Sequence, residues 1–132
     1  MMGIAIIAVI AFVLPYLSNN NSFKKLDPGS NRAFAKLLIE EYDKNEVAAN
    51  MKYKNKVYAI TGTIVDIGTD LFNEPYLMLG KNFSGVQCYF PDNRAREVAG
   101  MEKGWTITVV GKIKGKPVSA VRVENCYLEL IP

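Results

Sequence analysis

Cys88 and Cys126 are the two thiols of a chain that contains no histidine, so neither has the imidazole partner that usually turns a cysteine into a nucleophile. Two cysteines cannot supply a four-ligand zinc site, and the commonest general base and metal ligand is missing. Metal-dependent hydrolysis and thiol catalysis are both disfavoured, and neither metal nor cofactor is expected. The carboxylates nearest to one another, Asp66 with Asp70 or Glu74, fall in a turn-rich stretch without a nucleophile or an orienting partner. They read as solvated loop charge. The residues therefore point to binding and not to an enzyme.

Binding has two candidate sets of residues. Lys52-Tyr53-Lys54-Asn55-Lys56 and Lys112-Ile113-Lys114-Gly115-Lys116 repeat lysine at alternate positions. If both flank one face, Lys112 and Lys114 belong to a positive stripe suited to a polyanion. The plainer reading makes alternate lysines the solvent side of edge-like strands, where they discourage edge pairing. The second set is aromatic and amide: Tyr76 or Met78, Gln87 and above all Tyr89 could form a stacking floor, with Phe83 beside Lys81 and Asn82 as a loop contact. Net charge does not decide between them. The 132 residues hold 16 Lys and Arg against 13 Asp and Glu, and from residue 30 onward 14 against 12, too small a surplus to argue for nucleic acid alone.

The elements that must position these residues follow from periodicity. Ser30 or Asn31 is a plausible N-cap for a helix that runs to about residue 43, with Phe34, Leu37, Leu38 and Tyr42 on its apolar side. Asn45 begins a shorter helical turn with Val47, Ala48 and Met51 inward. Residues 56–67 form a long strand whose apolar parity switches between Ile64 and Val65, which demands a bulge or bend near residues 62–65. Residues 76–79 and 86–90 are two further short strands. Residues 92–101 suit a helix with Asp92 as N-cap, and residues 105–114 alternate with Trp105, Ile107, Val109 and Ile113 inward, making Trp105 a core or barrel-end plug. A final strand from Val121 switches parity after Glu124-Asn125, which again implies a bulge.

Five strands with a helix between the third and fourth make a mainly β fold with α: an OB-fold Greek-key barrel, preceded by a helical region. The joint order of Asn45-Glu46, Lys52-Tyr53-Lys54, Val57, Gly62, Gln87-Cys88, Lys103-Gly104, Gly111 and Asn125-Cys126 resembles the tRNA_anti-like family of small OB-fold domains over about residues 30–131. That resemblance implies a five-stranded barrel and a ligand-binding face, usually behind a bacterial signal peptide or lipoprotein signal, and names no ligand. In such a barrel the strands of Cys88 and Cys126 are neighbours. A disulfide closing a loop of about 39 residues would stabilise by about 4 kcal/mol in the chain-entropy model; the alternative is two buried free thiols acting as small core residues.

Residues 1–17 carry no charged side chain and residues 18–22 are wholly polar, so the start reads as a membrane anchor or signal segment. A polar tether over residues 18–29 follows, then the OB-fold domain over residues 30–132, with a helical region over 30–53 and the barrel over 56–131. No small-residue cleavage site and no lipoprotein cysteine follow the apolar run, which favours an uncleaved anchor. Lys24, Lys25 and Arg32 would hold the domain on the cytoplasmic side, whereas the resemblance favours the extracytoplasmic side, which is the expectation adopted. The expected function is a membrane-tethered, non-enzymatic binding module for an oligonucleotide or an oligosaccharide. The alternative is a structural or protein-interaction module of the cell envelope that never contacts nucleic acid.

Overall fold

The computed structural model describes residues 25–129. Along the chain lie β1 (Arg32–Phe34), α1 (Ala35–Lys44), α2 (Glu46–Tyr53), β2 (Val57–Thr69), β3 (Pro75–Leu79), β4 (Val86–Tyr89), a 3-10 turn (Asp92–Arg94), α3 (Ala95–Ala99), β5 (Thr106–Gly115) and β6 (Val121–Leu128). The anchor expected at residues 1–17 and most of the tether lie outside the described residues. No described helix is long and apolar enough to cross a membrane.

The sheet order β1-β2-β3-β4-β6-β5, with β5 returning to β2, closes a five-stranded barrel in which β4 and β6 run parallel. That is the OB-fold expected from the strand pattern. Its first strand serves two partners because it bends: β2 pairs with β5 over Val57 to Thr63 and with β3 over Ile64 to Thr69, with a register shift between Ile64 and Asp66. The bulge leaves Val65 over and moves the inward side from one parity to the other, as the sequence demands. Gly62 stands at this bend because a Cβ there would come within 2.7 Å of the Ala35 Cβ and 3.2 Å of the Leu79 Cβ. The last strand bulges as expected too. Val110 pairs with Tyr127 but Lys112 with Glu124, and Asn125 takes φ 56° to absorb the extra residue.

Leu38, Ile60, Ile64, Leu77, Leu79, Val86, Val109, Ile113, Val121 and Val123 fill the interior. Each buried aliphatic side chain of this size contributes about 1.5–3 kcal/mol relative to exposure. The helix α1 lies where β3 finishes, with Ala35 and Ile39 against Gly80, and α3 follows β4 toward the opposite end. The Tyr42 and Tyr53 rings lie 6.3 Å apart and Tyr53 meets Tyr58 edge-on at 5.2 Å. Tyr53 donates to Glu41 and Tyr42 to Asn50, which locks α1 to α2.

Several local expectations are corrected. Neither Ser30 nor Asn31 caps a helix: residues 32–34 are a parallel strand on β2, Asn31 donates its side-chain amide to the Val57 carbonyl, and α1 starts after Phe34. Strand pairing wins over capping preference there, and the helix starts three or four residues later than expected, with Phe34 and Leu37 outward and Ala35 and Ile39 buried. Asn45 does cap α2, accepting from the Ala48 amide, but the buried residues are Ala49 and Tyr53. Val47, Ala48 and Met51 face solvent. Asp92 makes no side-chain cap, since a 3-10 turn precedes α3. Trp105 is no plug: it precedes β5, is 44% exposed, and uses its carbonyl to accept from the Ile64 amide. The described end of the tether is docked, because the Tyr127 hydroxyl donates to the Leu26 carbonyl and Asp27 accepts from Gly29 in the Asp-Pro-Gly turn.

Candidate functional site

Successive outward positions on β2, β3, β4 and β6 make a continuous band, because the register aligns Gly68 with Tyr76, Tyr76 with Tyr89, and Met78 with both Asp66 and Gln87, while Gln87 aligns with Arg122. Over part of this band lies a cleft of about 390 Å³ lined by Asp66, Tyr76, Met78, Phe83, Gln87 and Ser119, among others. Its wall is the β3–β4 loop. Phe83 sits there in a left-handed conformation (φ 62°) with its carbonyl accepting from the Ser119 hydroxyl at 2.9 Å, and its ring is 83% exposed. Beyond the other end, the β2–β3 turn carries exposed Leu71 and Phe72, and Asp70 accepts from the amides of Phe72 and Glu74.

The candidates Tyr76, Gln87 and Phe83 therefore come together in one cleft. Tyr89 stands beside it: its ring centroid is 5.9 Å from that of Tyr76, but it is only 7% exposed because the Arg122 guanidinium lies 3.9 Å above its ring. A planar ligand reaches Tyr89 only if Arg122 swings away. Arg122 is itself held by Glu124 at 2.7 Å and Glu74 at 3.5 Å. Tyr76 donates to Asp66 at 3.1 Å, and Lys103 approaches the same carboxylate at 3.8 Å. Burial, then the bond to Asp66, raises the Tyr76 hydroxyl above its ordinary pKa, and burial does the same for Tyr89 against the opposing pull of Arg122. The amides of Glu74 and then Phe72 hold the Asp70 carboxyl below the ordinary range. The face thus has neutral Tyr76 and Tyr89 phenols and an ionised Asp70 at neutral pH.

Asp66, read in the sequence as solvated loop charge, stands on β2 and accepts from Tyr76; Arg122 went unassigned, although a signal for it was present. In an OB barrel the last strand lies beside the third, and Arg122 alternates with inward Val121 and Val123.

Lys112 and Lys114 belong to another part of the surface. The Asn55 amide donates to the Ile113 carbonyl at 2.7 Å, the Ile113 amide to the Lys56 carbonyl at 3.0 Å, and Lys114 to the Asn55 side chain at 3.3 Å. The two lysine runs consequently lie side by side at β5 and the start of β2, while Tyr76 and Tyr89 stand on β3 and β4, which do not pair with β5. Cys88 and Cys126 are fully buried free thiols. Burial, then the neighbouring Cys88, pushes the Cys126 thiol well up, and it donates to the Val123 carbonyl at 3.6 Å. Among the described residues no cluster of His, Cys, Asp and Glu could hold a metal ion.

A wider concavity of about 900 Å³ runs between α1 and β2, with Phe34, Leu37, Thr61 and Thr63 on its walls. Lys36, Glu40, Asp43, Lys81 and Thr106 share its lining with Ala35 and Ile39.

Comparison with known proteins gives one family match and distant structural relatives. The tRNA_anti-like family model matches residues 2–127. A crystal structure of a lipoprotein from Klebsiella pneumoniae, to which nucleic-acid binding is provisionally ascribed, is 17% identical over 79% of this chain and all of that one, with a TM-score of 0.62. An OBody bound to hen egg-white lysozyme is 11% identical, over 58% of this chain and 84% of that one, with a TM-score of 0.45. No curated protein matches.

Proposed function

The chain belongs to the tRNA_anti-like family, and we propose that it is a non-enzymatic binding module that holds a neutral, hydroxyl-rich ligand, an oligosaccharide, in the cleft over β3 and β4. The carrying observation is the composition of that cleft: two ring-bearing side chains, Tyr76 and Phe83, converge with the polar groups of Asp66, Asn82, Gln87 and Ser119 on the strand face where OB-folds receive ligands. The surrounding charge is unsuited to phosphates. Asp66, Asp70 and Glu74 border the band, and two of its cations, Arg122 and Lys103, are engaged by carboxylates. Tyrosine, carboxylate and amide side chains suit sugar rings and hydroxyls instead.

A second ligand, single-stranded nucleic acid, is favoured by the Tyr76–Tyr89 pair and by the function ascribed to the Klebsiella lipoprotein. Calorimetry against a panel of neutral oligosaccharides and an oligothymidylate separates the two. Saccharide binding is insensitive to salt and is lost with Tyr76→Ala. Nucleic-acid binding weakens steeply with salt, in proportion to the phosphates neutralised, and an oligothymidylate bound alone in that manner would overturn the saccharide assignment.

The same proposal has the barrel tethered through the apolar residues 1–17 on the extracytoplasmic side, where disulfides persist. Cys88 and Cys126, neighbours in the interior, would pair there. A thiol count on protein alkylated in its native membrane should find none before reductant and two after; two throughout would leave them the free thiols seen in the structure and remove this support for the extracytoplasmic side.

A further inference from the structure

The lysines of the two runs remain outside that cleft, and their surroundings have a character of their own. Lys52 is engaged by Glu41 at 3.3 Å and Lys116 by Asp43 at 2.9 Å. Lys54, Lys56 and Lys112 have no ion-pair partner among the described residues, and Lys114 meets only the neutral Asn55 side chain. The nearest carboxylate to Lys112 along the ladder, Glu124, is turned to Arg122. Four ammonium groups are thus gathered at the corner where α2 passes into β2 and β5 ends, with no internal charge to neutralise them.

Apolar surface adjoins them. Val47 and Met51 are 71% and 79% exposed. With Lys54 they form an i, i+4, i+7 stripe on the side of α2 opposite its buried residues, Ala49 and Tyr53. Exposed apolar side chains between lysines are the composition of surfaces that lie on a lipid interface. A nucleic-acid surface would instead present stacking rings, and Tyr53, between Lys52 and Lys54, is buried while Tyr58 packs edge-on against it.

The path of the chain supplies a third, independent observation. Lys25, the first described residue, lies 4.9 Å over the Tyr127 ring. Tyr127 pairs with Val110, and Lys112 is the next outward position on β5, about 7 Å further along the strand. The 24 residues that precede Lys25, with the uncharged stretch of residues 1–17 among them, therefore join the barrel on the side that carries the lysine corner.

We propose that Lys54, Lys56, Lys112 and Lys114, together with Val47 and Met51, dock the barrel on a bilayer surface rich in anionic lipid, holding the tyrosine cleft away from the membrane. Each lysine near such a surface contributes about a fivefold gain in the docking equilibrium, screened by salt. This proposal does not depend on what the cleft binds.

The test uses the full chain, labelled with ¹³C-methyl methionine and reconstituted into nanodiscs that carry a gadolinium headgroup lipid. Met51 reports the docking corner and Met78 the cleft. In discs of equal parts phosphatidylglycerol and phosphatidylcholine, Met51 should broaden more than Met78; in phosphatidylcholine alone the difference should vanish. It should also vanish in about 1 M NaCl, where the screening length is about 3 Å. Lys54→Gln with Lys56→Gln, both solvent-exposed sites whose change leaves the fold readable by circular dichroism, should lower the docking equilibrium about thirtyfold. Equal broadening of Met51 and Met78 in anionic discs, or a Met51 effect that survives salt and the double substitution, would overturn the proposal. So would a Met51 signal that moves with oligothymidylate and not with anionic discs, which would make the corner a nucleic-acid surface.

Discussion

The tyrosine band and the lysine corner are both outward surfaces of the same barrel, yet their charged groups are treated in opposite ways. In the band the charged groups are committed inside the protein: Asp66 to Tyr76, Arg122 to Glu74, Glu124 and the Tyr89 ring, Asp70 to its own turn. In the corner Lys54, Lys56, Lys112 and Lys114 make no ion pair among the described residues. A preorganised, charge-satisfied surface gains little from a polyanion and can offer fixed hydrogen bonds to a neutral ligand, whereas unpaired lysines are an unspent electrostatic field. A net charge of +3 conceals this division.

The largest effect should come from breaking the strand pair that separates the two surfaces. A Cβ on Gly111 would lie 2.7 Å from both the Cys126 Sγ and the Val123 Cγ1 and 3.0 Å from the Glu124 carbonyl oxygen. All three are strand backbone or buried core, so Gly111→Ala should cost about 1–3 kcal/mol. The Tm should drop by about 4–8 °C per kcal/mol, and both surfaces should suffer together. A fall in ligand binding with Met51 docking intact would mean the surfaces are mechanically independent.

Next in size, Phe83→Ala should weaken saccharide binding by about 1 kcal/mol, the scale of a lost aromatic contact, with no change in Tm, because the exposed ring supports nothing in the fold. Tyr76→Phe removes a single bond to a charged partner and should cost about 1–2 kcal/mol of stability, measurable by urea denaturation.

Alkaline pH sharpens the comparison from the side of the aromatics. Tyr42 is pushed up to about 12, chiefly by burial and then by the charge of Glu46, and Tyr53, Tyr76, Tyr89 and Tyr127 are raised as well, burial leading in each case. A phenol with a folded pKa above its unfolded value of about 10 stabilises fully below pH 10. That contribution is lost as pH climbs through the folded value. Urea midpoints should therefore fall between pH 10 and 12, and less steeply in Tyr42→Phe. Smallest of all, Lys54→Gln with Lys56→Gln should move stability by no more than about 0.5 kcal/mol while it disables membrane docking.

The parts of this molecule that were legible in the chain are those where a local pattern has a single solution. The parity switch at Ile64 and Val65 forces a bulge, and Glu124-Asn125 forces another. β1 was not legible, because Arg32-Ala33-Phe34 has no period of its own and becomes a strand only by pairing with β2. Its effect propagated: shifting the start of α1 exchanged Phe34 and Leu37 for Ala35 and Ile39 on the buried side, while Leu38 and Tyr42 serve either stripe. Of the site, Tyr76, Gln87 and Phe83 could be read from outward parity and loop position. The cover over Tyr89 could not, since Arg122 reaches it from a strand 33 residues away in sequence. The lysine runs were legible as runs. Their adjacency to one another and their separation from the tyrosines are properties of barrel closure.

The central claim, that the cleft over β3 and β4 receives a neutral ligand, is tested most directly at Met78, which lines the cleft. Methyl spectra of the full chain titrated with neutral oligosaccharides should show Met78 moving at unchanged Met51, in low and high salt alike, and oligothymidylate should leave Met78 where it is. Movement of Met78 with oligothymidylate, erased by salt, while every saccharide leaves it unmoved would contradict the claim.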